Sequence, residues 1–478
     1  LPSDGCQMSL SPLIPALVLG LGAMLLLMAG VLTRRDTWLV CSGGAIVLLI
    51  VAAIATLNVP DGMLFGGLMK TSLYTRYADC LVMLGAAAAL LLSLDYNRRQ
   101  DIARFEFPVL VLLAVLGMIV MIAAADLMTL YIGFELQSLA LYICAAFQRD
   151  SLRSTEAGLK YFVLGALASG LLVYGISLVY GFAGTTNFVA LSRILTGAPG
   201  YGTVIGIVFV LIGLAFKISA APFHMWTPDV YEGAPTSVTA FYGTAPKVAA
   251  MALFMSVMMI PFGHLLVQWQ LLIEVLAVCS MALGALAAIG QTSIKRLLAY
   301  SSIGHMGYAL MGLAAGTTAG VQATLVYLAI YLVMSFGSFA CVIAMRRDGQ
   351  AVETIADLAG LSTERPGMAG AFAIFMWAMA GIPPLSGFFG KLYVFSASIN
   401  AGLVPLAIIG VVTSVIGAFY YLRVIKVMYF DRGAPGFDKA AGSVNLVMGV
   451  GAVATALFVF LPGPLILAAD AAAKALMG

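Results

Sequence analysis

Apolar stretches of about 20 residues, separated by short polar connections, run from one end of this 478-residue chain to the other. About 20 apolar residues are what a helix needs to cross a bilayer. On that rule there are fourteen candidate spans, near residues 9–32, 38–57, 76–95, 107–124, 126–147, 156–181, 202–224, 233–260, 268–290, 296–315, 318–345, 367–399, 402–430 and 443–466. Only 9% of the residues are charged, against about 25% in soluble domains. The chain therefore reads as an all-α polytopic membrane protein. The stretch Leu10 to Leu32 is too long and too lightly charged at its flanks for a signal peptide, and reads as the first span. A short amphipathic segment, Asn187 to Leu195, is expected to be a surface loop helix.

The basic residues sort by side. With the N-terminus outside, the cytoplasmic connections hold Arg34, Arg35, Arg98, Arg99, Arg104, Arg149, Arg153, Lys160, Lys295, Arg296, Arg346, Arg347, Arg365, Arg423, Lys426, Arg432 and Lys439. The outer connections hold only Lys70, Arg76, Arg193 and Lys474. This asymmetry is what the positive-inside rule demands, and it puts both termini in the periplasm. Three lysines, Lys217, Lys247 and Lys391, then have no connection to occupy and fall inside spans. The net charge of +3 reflects this sorting and gives no ground for a nucleic-acid partner.

Two spans are interrupted. In the seventh, Pro222 follows Lys217, and a proline removes a backbone donor and clashes with the preceding turn, so unwinding is expected near Ser219 to Pro222. In the twelfth, GIPPLSGFFGK carries Pro383, Pro384 and three glycines just before Lys391. Irregular backbone at membrane depth is tolerated only inside protein or along a wet cavity. Spans four to eight (107–260) and nine to thirteen (268–430) form two sets of five. An odd number inverts one set relative to the other, as in inverted-repeat transporters. Helices one to three (1–106) precede the sets, and helix fourteen (431–478) follows them.

Glu135 is the only acid near the middle of a span. Intramembrane acids and lysines are rare, costly and usually functional. Low dielectric disfavours the charged form of either group, which suits Glu135, Lys217, Lys247 and Lys391 to exchanging protons. The plain alternatives are a helix-locking ion pair and snorkelling lysines. His305, in SSIGHMGY, is a candidate relay, and His224, at the seventh-span break, is a candidate at an aqueous mouth. Lys295 is a further candidate, although its place beside Arg296 at a helix start also fits topology alone. Asp79 and Glu274 lie near outer helix ends, where water is expected to reach them. Six scattered cysteines (Cys6, Cys41, Cys80, Cys144, Cys279, Cys341) contain no Cys-x-x-Cys pair. Three histidines (His224, His264, His305) include no pair at metal-ligand spacing, so no metal or cofactor set is expected.

Glu135, the stretch FKISAAPFHMWTPDVYEGAPT, Lys247 after Pro246, SSIGHMGY and GIPPLSGFFGK together resemble the antiporter-like membrane subunits of proton-pumping NADH:quinone oxidoreductase, respiratory complex I. The resemblance extends over spans two to fourteen. It is strongest to the subunit N branch, because Lys391 stands where the M branch carries a glutamate. The chain also stops soon after span fourteen, without the long lateral helix of the L branch. The resemblance implies that Glu135 and Lys217 form a charged pair gating a first half-channel. It makes Lys247 the central proton carrier and Lys391 the exit-side carrier, with His305 connecting them. Flavin, iron–sulfur clusters and quinone would belong to partner subunits. The partners implied are a neighbouring subunit M, small membrane subunits and the lipid of a bacterial inner membrane. Competing readings are a subunit of a multi-subunit sodium/proton antiporter or membrane-bound hydrogenase, a stand-alone transporter or channel, and a membrane scaffold.

Overall fold

Helices make up nearly all of the computed structural model, which describes residues 11–33, 35–197, 199–433 and 436–478. Cys6, Arg34 and the first two residues of the opening stretch lie outside the described residues. The chain begins with α1 (Ile14–Leu32), α2 (Trp38–Leu57) and α3 (Leu73–Arg99), with a short hairpin, β1 (Gly62–Leu64) and β2 (Met69–Thr71), between the last two. Then come α4 (Glu106–Ile122), α5 (Leu127–Ala145), α6 (Leu152–Ala183), the short α7 (Phe188–Ile194), α8 (Tyr201–Ile218), α9 (Trp226–Gly233), α10 (Thr236–Tyr242) and α11 (Ala245–Met259). The next group is α12 (Leu266–Ile289), α13 (Ile294–Ala314), α14 (Thr318–Ala344), α15 (Leu361–Glu364), α16 (Pro366–Ala380), α17 (Ser386–Asn400) and α18 (Val404–Phe430). The chain ends with α19 (Gly442–Leu457) and α20 (Gly463–Met477). Among the described residues, eleven helical segments are long and apolar enough to cross a membrane, and Glu106–Ile122 and Pro366–Ala380 are shorter apolar helices.

Side-chain caps mark the starts of several helices. Ser72 and Thr75 form a reciprocal capping box at α3, and Asp126 accepts from Met128 N (2.8 Å) at α5. Ser151, Ser293 and Thr317 cap α6, α13 and α14. Each cap occupies a backbone donor that a helix start otherwise leaves unpaired.

Neighbouring helices close up on glycine, as membrane helices do when little but packing drives association. A Cβ on Gly117 of α4 would fall 2.4 Å from the Gln137 N of α5. A Cβ on Gly284 of α12 would fall 2.6 Å from the Gly304 N of α13. Either substitution would push its pair of helices apart. The α10–α11 segment and α14 are almost wholly enclosed by other helices, whereas α1 and α19 keep most of their surface outward.

The seventh span is interrupted where Pro222 made it expected: α8 stops at Ile218, and a turn leads to the separate α9. Three expectations need correcting. The eighth is not continuous, because α10 and α11 part at Gly243 and Thr244 (φ −132°, ψ −97°). Pro246 sits in the first turn of α11, where its missing N–H costs nothing, so the proline starts a helix here. The last apolar stretch, expected to be one helix, stops at Leu457, and α20 packs as a separate helix against α3 and α14. Asp79 is not simply water-facing: its Oδ1 is buried with no protein partner.

Candidate functional site

The first break is built from the end of α8. Ser219 takes a left-handed conformation (φ 64°, ψ 34°), and Ala220 N reaches back to Ala215 O (2.9 Å). Trp226 Nε1 donates to Phe216 O (3.0 Å), supplying one of the carbonyls that the helix end leaves free. Ala221 N donates to Ser280 Oγ of α12 (2.8 Å), so the turn is tied to the second set of helices. The hydroxyls of Ser219 and Thr227 are buried without a protein partner.

Lys217, in the last turn of α8, is buried. Its Nζ donates to Ser138 Oγ (2.6 Å) and lies 4.7 Å from the centre of the Phe134 ring. Glu135 is one turn away from Ser138 on α5 and is half-buried; it accepts from Ser169 Oγ of α6. The charged pair implied for Glu135 and Lys217 is not a contact ion pair. No ion pair within 4.0 Å joins them among the described residues, because the ammonium is bound to Ser138 instead.

Lys247 sits in the first turn of α11, directly after the Gly243–Thr244 interruption, and is 1% exposed. Its Nζ donates to Ser302 Oγ of α13 (2.8 Å). One turn further along α13, His305 holds a tyrosine hydroxyl at each ring nitrogen: Tyr327 at Nδ1 (2.6 Å) and Tyr421 at Nε2 (3.2 Å). Tyr421 in turn bonds Ser301 (2.5 Å).

The second break runs from Gly381 to Leu385. Gly381 stands at φ 84°, where its lack of a Cβ is required. Lys391, one turn into α17, reaches back to the Met379 and Ala380 carbonyls (3.0 Å each) and to Ser414 Oγ of α18 (2.8 Å). His305, Ser301, Tyr308, Tyr421, Lys391 and Ser414 line one small cavity.

The structure therefore draws Lys217, Lys247, His305 and Lys391, all buried, into the middle of the helix assembly. His224 is on the turn after Pro222, half-buried and without a hydrogen bond to any of the three lysines. Lys295 is buried too, but at the entry to α13, in an ionic network. Its Nζ donates to Glu232 O (2.9 Å), Ala234 O (2.8 Å) and Glu353 Oε1 (3.2 Å). Arg296 bonds Asp229 and Glu232 (2.9 Å each), and Lys160 bonds Asp229 (2.8 Å). Burial alone would raise the Asp229 carboxyl, but the hydrogen bonds from Lys160 and Arg296 outweigh it and hold the group below its usual range.

Sequence reasoning missed the hydroxyls. Ser138, Ser302 and Ser414 each meet one span lysine, and Tyr327 and Tyr421 flank His305. The available signal was helical spacing: Ser138 is three residues after Glu135, and Ser302 three before His305. Among the described residues, no three His, Cys, Asp or Glu side chains gather as a metal site.

The family described as "NADH:quinone oxidoreductase/Mrp antiporter, TM" matches residues 124–417, which contain Glu135, Lys217, Lys247, His305 and Lys391. The chain belongs to this family. It is 63% identical over 466 residues to NADH-quinone oxidoreductase subunit N 1 of Acidiphilium cryptum, covering 97% of this chain and 98% of that one. It is 55% identical to NADH-quinone oxidoreductase subunit N of Rhodospirillum rubrum, covering 98% and 97%. Among solved structures, a chain of respiratory complex I from Thermus thermophilus with bound aureothin superposes with a TM-score of 0.82 at 30% identity, covering 96% of this chain and 99% of that chain. A chain of the Mrp complex from Dietzia shares the fold, with a TM-score of 0.84 at 22% identity over 97% of this chain and 100% of that one.

Proposed function

We infer that this chain is a proton-translocating membrane subunit of an NADH:quinone oxidoreductase. The family match and the full-length relatives named as subunit N support this reading. The antiporter alternative shares the family description, but the Mrp complex chain from Dietzia is only 22% identical, against 63% and 55% for the subunit N relatives. Electron transfer from NADH to quinone, with its flavin and iron–sulfur clusters, belongs to partner subunits, among them a neighbouring subunit M and small membrane subunits. The reading assigns the fourteen expected spans to the eleven long apolar helices together with α4, α13 and the α16–α17 pair. The reading keeps two inverted sets of five, each with a broken helix, and both termini on the periplasmic side of a bacterial inner membrane.

One observation carries the path: each of the three span lysines is bonded to a serine hydroxyl on a neighbouring helix, Lys217 to Ser138, Lys247 to Ser302 and Lys391 to Ser414. A hydroxyl accepts from an ammonium, and after rotating it donates to the lone pair of a neutral amine. It therefore satisfies lysine in both protonation states, as a proton carrier needs. The buried hydroxyls of Ser219 and Thr227 add polar groups of the kind that ordered water satisfies. Glu135, Lys217, Lys247, His305 and Lys391 then form the path, in that order.

Charge movement drives it. Moving one charge from about 4 Å to about 8 Å from another changes their interaction by about 2 kcal/mol at an effective dielectric near 20. That exceeds the 1.36 kcal/mol of one pKa unit, so it changes proton occupancy more than tenfold. Neutralising Glu135 would change the field at Lys217 in this way, and loading Lys217 would do the same at Lys247.

The test uses the intact complex in proteoliposomes. Ser302→Ala removes the Lys247 hydroxyl and is expected to cut NADH-driven proton uptake on the order of tenfold, as mispositioned proton-transfer groups do, with assembly unchanged. Wild-type uptake in Ser302→Ala would count against the serine as the switchable partner.

A further inference from the structure

Lys295 is as buried as the lysines of the path, at 2% exposure, yet its surroundings differ in kind. All three of its partners are acceptors: two backbone carbonyls and the carboxylate of Glu353. A neutral amine would point its lone pair at one of them, and none of the three is a hydroxyl that could turn and donate. With Glu353 ionised, the three acceptors match the three donors of an ammonium.

The carbonyls it holds are at the end of α9, the connector lying between Lys217 and Lys247 in the chain. Glu353 also accepts from Thr236 Oγ1 (3.2 Å), the first residue of α10. Thr236 N is held by Tyr96 OH of α3 (3.0 Å). The loop carrying Glu353 is sewn to the start of α13 by Ile294 N to Glu353 O and Ile355 N to Thr292 O (2.9 Å each). One ammonium thus ties the connector of the first set to the second set.

We propose that Lys295 is a positioning residue: it clamps the α9–α10 connector to α13 and the Glu353 loop, and so fixes the separation of Lys217 from Lys247. The proposal rests on the path reading above. A displacement of about 1 Å at a reacting geometry can cost on the order of a hundredfold, so a clamp outside the path can govern its rate.

The experiment compares Lys295→Arg, Lys295→Met, Lys247→Arg and Lys247→Ala in the intact, reconstituted complex. It reads proton uptake per NADH oxidised and amide hydrogen exchange over residues 226–236. Arginine keeps the charge and the donors but does not release a proton. The clamp therefore predicts that Lys295→Arg retains at least about half of wild-type proton uptake, whereas Lys247→Arg loses about tenfold or more. Lys295→Met should raise exchange across the connector several-fold. Lys295→Arg that loses uptake while connector exchange stays at the wild-type level would make Lys295 a carrier and overturn the clamp. Wild-type exchange in Lys295→Met would overturn it as well. If Lys295→Met does not assemble, Glu353→Gln replaces it, with faster connector exchange expected and unchanged exchange counting against the clamp. Full uptake in Lys247→Ala would instead reject the path itself, whatever Lys295 does.

Discussion

At the first break the chain turns through Ser219 at φ 64°, and at the second through Gly381 at φ 84°. Both conformations are left-handed, and only glycine adopts them without a steric cost. The lysines differ as well. Lys217 precedes its break and bonds a side chain of another helix. Lys391 follows its break and reaches back to the two carbonyls that the end of α16 leaves free. Carbonyls at a helix C-terminus solvate a cation well. The second break is therefore closed by its own lysine, while the first is closed by Trp226 and Ser280 and leaves its lysine free of structural duty. Two interrupted helices with similar sequence marks thus hold their lysines differently: Lys391 is tied to the carbonyls of its own break as well as to Ser414, and Lys217 only to Ser138.

Lys391→Met breaks this contrast most forcefully. It removes the donor from two buried carbonyls and is expected to cost about 2–5 kcal/mol, seen as loss of assembled complex on native gels. Lys217→Met should cost under about 1 kcal/mol, since Ser138 keeps its bond to Phe134 O. It should leave assembly intact and abolish coupled proton uptake. Equal assembly defects in the two variants would erase the distinction.

Backbone substitutions should act with opposite signs. Gly381→Ala places a Cβ 2.8 Å from Lys391 Cδ at a positive φ, and should destabilise by about 1–3 kcal/mol. Ser219→Gly relieves the same conformation and should stabilise by about 1 kcal/mol. Thermal dissociation of the purified complex checks both signs. Trp226→Phe, which leaves Phe216 O without its donor, should lower stability by about 1 kcal/mol in the same assay. The smallest effect concerns pH. Because the Asp229 carboxyl is held below its usual value, its ion pairs stay intact above the unfolded value near 3.9 and weaken only as pH falls through the lower folded one. Exchange in the 226–236 connector should therefore not change between pH 8 and pH 5 beyond the intrinsic chemical rate. A rise on approaching pH 5 would contradict that assignment.

Charge and proline made much of this legible in advance. A lysine inside an apolar run costs too much to be incidental, and Pro222 and Pro383–Pro384 cannot continue a helix, so both breaks were visible in the sequence. The Gly243–Thr244 interruption was not, because Pro246 has two readings, and only packing shows that it starts α11. The end of α19 at Leu457 was hidden inside an apolar run that reads on to Ile466. The serine partners were invisible for another reason. Ser138, Ser302 and Ser414 are single hydroxyls among many, and their pairing with lysines 79, 55 and 23 residues away is set by tertiary contact. The same holds for Lys295, whose partners come from residues 232, 234 and 353. Nor does the sequence show that Ser138 holds the Lys217 ammonium while Glu135 accepts from Ser169.

The account stands most directly on Lys247, the lysine midway along the path. The decisive measurement is proton uptake per NADH oxidised for Lys247→Ala and Lys247→Arg, in proteoliposomes whose complexes are fully assembled. A carrier must release its proton, and arginine, with a pKa above about 12, does not. The account predicts that both variants lose uptake, and that arginine preserves assembly without restoring pumping. Wild-type uptake in Lys247→Arg would show that only charge and packing matter at this position, and would contradict the proton-carrier role.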